Sequence, residues 1–154
     1  MAHFAELESK TDPTGFTSDT HLVVKRVVVV GNDISTAAGP LGDNDMHVDG
    51  ETWCINFFKG GTWKQTSYNN NFRKQYAGIG HVYNASKNKF LTPQPYASWA
   101  LDGSDDWQAP VTYPSTTSGY RISWDEDNRR WTAVKDSDQS NHRWDADNTQ
   151  WVSV

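Results

Sequence analysis

The groups in this chain that could do chemistry are five histidines, one cysteine and a few acid- or glycine-rich stretches. Metal binding and proton transfer need such groups close together, and regular short-range spacing is the first sign of it. His3, His21, His47, His81 and His142 stand far apart with no i,i+4 pair, so each reads as a solvated or hydrogen-bonded imidazole. Asp43-Asn-Asp45 followed by Asp49-Gly-Glu51 has the composition of a calcium loop. It lacks the spacing of acidic residues, glycine and distal glutamate that an EF-hand uses, and reads as a plain acidic loop. Gly78-Ile-Gly80 is a lone glycine pair with no helix signature after it, a turn rather than a phosphate cradle. No serine sits in a nucleophile elbow, and Cys54, among Trp53, Phe57 and Phe58, reads as a buried inert thiol. Asn84-Ala-Ser86 fits a glycosylation sequon, a pattern short enough to arise by chance. No catalytic, cofactor-binding or metal residue emerges, and the expectation is a protein that is not an enzyme and needs no cofactor.

The informative pattern is aromatic. Trp124-Asp-Glu-Asp-Asn-Arg-Arg-Trp-Thr-Ala-Val134 is followed by Trp144-Asp-Ala-Asp-Asn-Thr-Gln-Trp-Val-Ser-Val154, with six of eleven positions identical. Two tryptophans flank a polar centre rich in Asp and Asn, residues that accept left-handed backbone and bond their own main chain. Each phrase is therefore a β-hairpin tip with one tryptophan on each arm. Cross-strand aromatic pairs of this kind contribute roughly 0.2–1 kcal/mol over alanine pairs. Looser versions precede them, Tyr83 and Phe90 around one polar stretch, Trp99 and Trp107 around another. The four tail rings Trp124, Trp131, Trp144 and Trp151 are the candidate partner-binding residues. Packing explains their spacing on its own, and stacking on a sugar ring is the functional alternative.

These residues must be positioned by a small chain. At 154 residues it holds one domain, or one with an appendage, large enough for a real core. Only 36% of residues are hydrophobic while 13% are aromatic, including eight Trp, so burial depends on a few large rings. The net charge of -5, without a basic patch, argues against a nucleic-acid partner. The single cysteine excludes an internal disulfide, and the start Met-Ala-His-Phe-Ala-Glu-Leu does not read as a signal peptide. The longest apolar run, Leu22–Val30, is too short to span a membrane and is broken by Lys25-Arg26. Folding in a reducing cytoplasm, with no membrane partner, is the expectation.

Residues His3–Leu7 alternate as a short strand, and the β-branched run Leu22–Val30 is the strongest strand in the chain. An aspartate at Val28 or Val29 is accordingly expected to cost several kcal/mol. Gly31–Gly50 reads as a long loop, Glu51–Lys59 as a short helix stopped by Gly60-Gly61, and Thr62–Tyr68 as strand. Prolines 93, 95, 110 and 114 separate extended connectors between the later hairpins. The expected fold is mainly β, α+β at most, with antiparallel strands and one short helix. Its expected division is a main β domain over 1–120 and a tandem Trp-hairpin repeat over 121–154. The fully polar connector Lys135–His142 marks the tail as detachable, so deleting Lys135–Val154 is expected to leave a folded body with weakened docking.

Several blocks resemble a recurring family. They are Gly50-Glu-Thr-Trp-Cys-Ile-Asn-Phe-Phe58, Trp63–Gly80 with its Tyr-Asn-Asn-Asn-Phe-Arg-Lys-Gln-Tyr core, Pro93–Trp99, Trp107–Pro114 and the closing Trp-Asp-x-Asp-Asn-x-x-Trp phrase. The chain is similar over most of its length to small structural proteins of tailed bacteriophages that infect cyanobacteria and other marine bacteria. Trp63–Gly80 is the most specific block. Gly31–Gly50 is unusually polar for that pattern, and a second terminal Trp phrase is present where one is usual. The resemblance implies a virion component made in the host bacterial cytoplasm, either a capsid decoration or a small tail, neck or fibre protein. Other virion proteins would be its partners, with homo-oligomers or multiple copies on the particle. The alternative is a carbohydrate- or receptor-recognition module on the same particle, with a glycan as ligand.

Overall fold

Residues 1–42 and 48–154 are described by the computed structural model; the stretch Asp43–Asp45 and His47 lie outside the described residues. The chain forms two compact units, residues 1–93 and 94–154. Both are built from antiparallel β-structure, which makes the protein mainly β, with one short helix among the described residues, as its patterning implies.

In the first unit the strands and helix are β1 (Ala2–Thr11), β2 (Thr20–Val30), β3 (Ser35–Thr36), β4 (Gly39–Pro40), α1 (Val48–Phe57), β5 (Thr62–Thr66), β6 (Val82–Asn84) and β7 (Lys89–Leu91). Five of them make a sheet in the order β5-β1-β2-β6-β7, with the apolar run of β2 at its centre. The Tyr83 and Phe90 hairpin thus closes the edge of this sheet. Gly31–Gly50 is not a structureless loop, because β3 and β4 pair across a tight turn and α1 begins at Val48.

Lys25-Arg26 interrupts the apolar run for a geometric reason. Pairing with β1 passes from Glu6↔Arg26 to Leu7↔Val24, so Lys25 is the extra residue of a β-bulge. Strict alternation would send Val24 and Val27 to opposite faces. With the bulge both pack into one core, with Ala5, Leu7, Ala77, Tyr83 and Phe90. Phe4, Val30, Leu41, Cys54 and Trp63 form the core of the other face, joined by Val28. A sheet apolar on both faces needs a nearly continuous apolar strand, and β2 is one. Val29, 56% exposed, lies outside both cores, which corrects the expectation that an aspartate there would be costly. The burial penalty belongs to Val24, which is 1% exposed.

Helix α1 lies on this sheet through Gly50, Glu51 and Cys54. A Cβ on Gly50 would stand 2.4 Å from Phe4 Cζ and 2.9 Å from Leu41 Cδ1, two side chains that are themselves fully buried. Gly50→Ala sets a helix-propensity gain of about 0.8–1.0 kcal/mol against overpacking of about 1–3 kcal/mol. The fixed ring of Phe4 makes overpacking prevail. A lower urea midpoint for Gly50→Ala is expected, and an unchanged or higher one would show that the helix can shift. The helix ends where Lys59 turns left-handed at φ 58° and the Gly60 N–H reaches Ile55 O at 2.8 Å, a Schellman closure.

The second unit holds β8 (Ala100–Leu101), β9 (Trp107–Gln108), β10 (Tyr120–Asp125), β11 (Arg130–Lys135), β12 (Asn141–Asp145) and β13 (Gln150–Ser153). The last four form one antiparallel meander, and β8 pairs with β9 as a separate small hairpin. Both repeat tips close identically. The Asp125 carboxylate accepts the Asn128 backbone and side-chain N–H groups at 3.2 and 2.8 Å; Asp145 does so from Asn148 at 3.1 and 2.9 Å. Arg129 and Thr149 follow with the same left-handed φ of 49°. The shared Asp and Asn of the two phrases are therefore turn chemistry.

Candidate functional site

The shared tryptophans make a row. Trp124 faces Trp131 across β10 and β11, and Trp144 faces Trp151 across β12 and β13. Strands β11 and β12 pair as Thr132↔Arg143, and that register carried one residue further sets Trp131 opposite Trp144. Trp124, Trp131 and Trp144 are buried, with Trp151 packed beside them, and ring centroids within each hairpin lie 5.0–5.1 Å apart. Tyr96, Trp99, Ala109 and Val111 cover the row. The polar edges of Trp131 and Trp151 are tied to backbone carbonyls. Trp131 Nε1 donates to Val111 O at 2.9 Å, and Trp151 Nε1 to Thr116 O at 2.8 Å.

This arrangement revises two expectations. The unit begins at Gln94, and not at 121, because the segment before β10 supplies the lid over the tryptophans. Three of the four candidate partner-binding rings are also turned into their own core, so they are not an open docking or sugar-stacking face. The two hairpins solve their burial problem by pairing side by side and by borrowing the apolar residues of 96–111.

Glu126, at the first tip, is held by three neutral donors. Trp124 Nε1 reaches its Oε2 at 2.7 Å, Ser98 Oγ the same oxygen at 2.7 Å, and the Ser98 N–H its Oε1 at 2.9 Å. Those bonds, Trp124's first, hold the Glu126 carboxyl below the ordinary glutamate range. Beside the second tip lies a cleft of about 390 Å³ bordered by Thr112, Tyr113, Ser115, Trp144, Ala146 and Thr149.

The first unit contains a buried ionic knot. Arg73 Nη1 donates to Glu51 Oε1 at 2.9 Å and to Gln65 O at 2.8 Å, and its Nε donates to Asn88 Oδ1 at 2.9 Å. Glu51 also accepts the Gln65 N–H at 2.9 Å and faces Lys64 Nζ at 3.7 Å. Side chains of Arg73 and Glu51 are only 6% and 9% exposed, and Arg73 ties α1, β5 and the β6–β7 hairpin together. Arg73 and Lys74 both adopt left-handed backbone, with φ of 52° and 70°. The knot is the physical content of the Trp63–Gly80 block. Cys54 is fully buried next to it, and burial, with the Glu51 charge, pushes its thiol up to about 12. Such a thiol is not a nucleophile at neutral pH.

His81 is held in a local turn. Its Nδ1 accepts the Gly78 N–H at 3.0 Å inside the Gly78–His81 turn, and burial lowers its pKa below 6.5. A lowered histidine pKa means the unfolded chain binds the proton more readily, so this contribution to stability is present above pH 6.5 and is lost as the pH falls. Between about pH 7.5 and about pH 5.5 the wild type is expected to lose more unfolding free energy than His81→Asn, which keeps an acceptor but cannot titrate. Equal losses would contradict this. Among the described residues no group of three or more His, Cys, Asp or Glu is arranged to hold a metal ion. No helix of the described residues is long and apolar enough to cross a membrane.

Helix α1 leaves apolar side chains uncovered. Val48, Ile55 and Phe57 of α1 are exposed, at 69%, 40% and 62%. Phe57 stacks on half-buried Trp53 at 4.7 Å and meets Phe58 edge-on at 4.9 Å. Val48, Thr52 and Ile55 follow i, i+4, i+7 spacing along one side of the helix, and Phe57, nine residues after Val48, lies with Trp53 on the other. The sequence reads Glu51–Lys59 as a short helix but does not separate its buried aromatics from its uncovered ones. Searches against family models, curated proteins and solved structures find no match to this chain.

Proposed function

We propose that this protein is a structural component of a bacteriophage particle, a capsid decoration or a small tail, neck or fibre protein, that acts by docking to other virion proteins. The observation that carries the reading is the uncovered aromatic pair of α1, where Phe57 stands in water against half-buried Trp53. Large exposed aromatics on a rigid element are the side chains that dominate protein interfaces. The ionic knot under the helix and the bulged two-faced sheet hold that surface in one geometry before any partner arrives, which lowers the ordering cost of association. The phage resemblance of Gly50–Phe58 and Trp63–Gly80 falls on the helix and on the knot that seats it. Mass spectrometry of gradient-purified particles tests the assignment. Stoichiometric recovery with the particle peak is the expected result, and recovery only in the unassembled fraction would overturn it.

A further inference from the structure

The two C-terminal hairpins repeat one pattern at a fixed interval, Trp124 and Trp131 recurring as Trp144 and Trp151. They pack side by side, the second arm of the first (β11) against the first arm of the second (β12). Three bonds fix which backbone groups each strand turns to each neighbour. The Asp136 N–H donates to Gly119 O, the Lys135 N–H to Ser140 O and the Val154 N–H to Asn141 O. Bonded and non-bonded pairs alternate along an antiparallel ladder. Carried along the observed registers, that alternation makes Ala133 and His142 a bonded pair between the hairpins, with Trp131 and Trp144 as the next such position. It also turns the N–H and C=O of Ile122 and Trp124 outward from β10, and those of Trp151 and Ser153 outward from β13. Strands β10 and β13 are the two edges of this sheet. Among the described residues nothing bonds these outward groups.

We propose that β13 pairs with β10 of a second copy of this chain, head to tail, so that the sheet continues from copy to copy through the contact that already joins its two hairpins. Moving the internal pairs by the repeat interval sets Ser153 against Ile122 and Trp151 against Trp124 of the second copy. The bonding parity matches, because these four residues are the ones whose backbone groups point outward. The ring row continues as well. Trp131, with a strand on each side, is 7% exposed, while its counterpart Trp151, with only β12 beside it, is half-buried. On the opposite face the same shift sets Val152 against Ser123 and Val154 against Arg121 of the second copy, and neither pair opposes like charges. The usual guards of a sheet edge are missing. Strand β13 reads Gln-Trp-Val-Ser, without charge or proline. The charges of β10 are engaged inside its own hairpin, Arg121 with Asp136 and Asp125 with Asn128 and Arg130. A second copy is the partner that fits, because β10 already has the arm geometry that β12 presents to β11. The inference is independent of the α1 surface and of particle membership.

Sedimentation velocity of the full-length chain over about 10 μM to about 1 mM, the range of small transient interfaces, reads the association. Wild type is expected to sediment faster as its concentration rises. In the head-to-tail register residue 152 faces residue 123 of the next copy, so Ser123→Lys and Val152→Lys are each expected to be tolerated alone. Together they oppose two lysines at every junction, and association is expected to weaken about fivefold. Ser123→Lys with Val152→Glu alters the same two positions and is expected to restore it, which separates pairing from a folding defect. A two-fold contact between two β13 strands centred on Val152 gives another pattern, in which Val152→Lys blocks alone and Ser123→Lys has no part. A wild type that stays monomeric throughout, a double-lysine variant that associates like wild type, Val152→Lys alone acting as strongly as the pair, or no recovery with Val152→Glu would each overturn the proposal.

Discussion

Arg73→Ala is expected to destabilise the first unit by about 3–5 kcal/mol, the range for leaving one member of a buried ion pair without its partner. The alanine removes the bonds to Glu51, Gln65 O and Asn88 together, and Glu51 then stands 9% exposed with the Gln65 N–H and, at 3.7 Å, Lys64 as its remaining partners. Arg73→Met combined with Glu51→Leu is expected to recover most of the loss, because replacing both charges avoids the uncompensated one. Urea unfolding followed by circular dichroism measures both. If the single variant cost as little as an exposed ion pair, under about 1 kcal/mol, the knot would not be what seats α1.

Deleting Lys135–Val154 is expected to unfold the second unit, not to trim a tail from an intact body. The deletion removes β12 and β13, half of the meander, and with them Trp144 and Trp151 from the covered row. Trp131 would lose its neighbouring strand, and a two-stranded hairpin is marginal in water. The point substitution Trp131→Ala is expected to act in the same direction by about 3–5 kcal/mol. It empties the place where Trp99, Tyr113 and Trp124 meet one ring and leaves Val111 O without its donor. Near-ultraviolet circular dichroism reports the aromatic packing. The expected outcome is loss of most of that signal in both variants, with the cooperative transition of residues 1–93 retained. A truncated protein that kept its tryptophan signal would restore the satellite view of the tail.

How much of this could be read in advance depended on how local each cause was. Both hairpin tips were legible, because an Asp clamping an Asn three residues on is a local device and the matched tryptophans fall where the turn puts them. The mainly β character and the central strand were legible for the same reason. The unit boundary was not, because the lid residues Tyr96, Trp99, Ala109 and Val111 are scattered among prolines with no periodicity to mark them as core. Arg73 was invisible, since an arginine in a polar stretch looks solvated until Glu51, Gln65 and Asn88 are brought around it from distant positions. The bulge was written in plain view as Lys25-Arg26 between two valine runs, yet only the pairing with β1 shows that it rotates the strand.

The docking claim is tested most directly by co-sedimentation of purified protein with particles assembled without it, comparing wild type with the double variant Ile55→Ser, Phe57→Ser. Both positions are exposed, so the fold is expected to survive the change. Truncating interface anchors costs upwards of about 2 kcal/mol, so the bound fraction is expected to fall by about tenfold or more at limiting protein. Equal sedimentation of wild type and variant, with both folded, would contradict docking through α1.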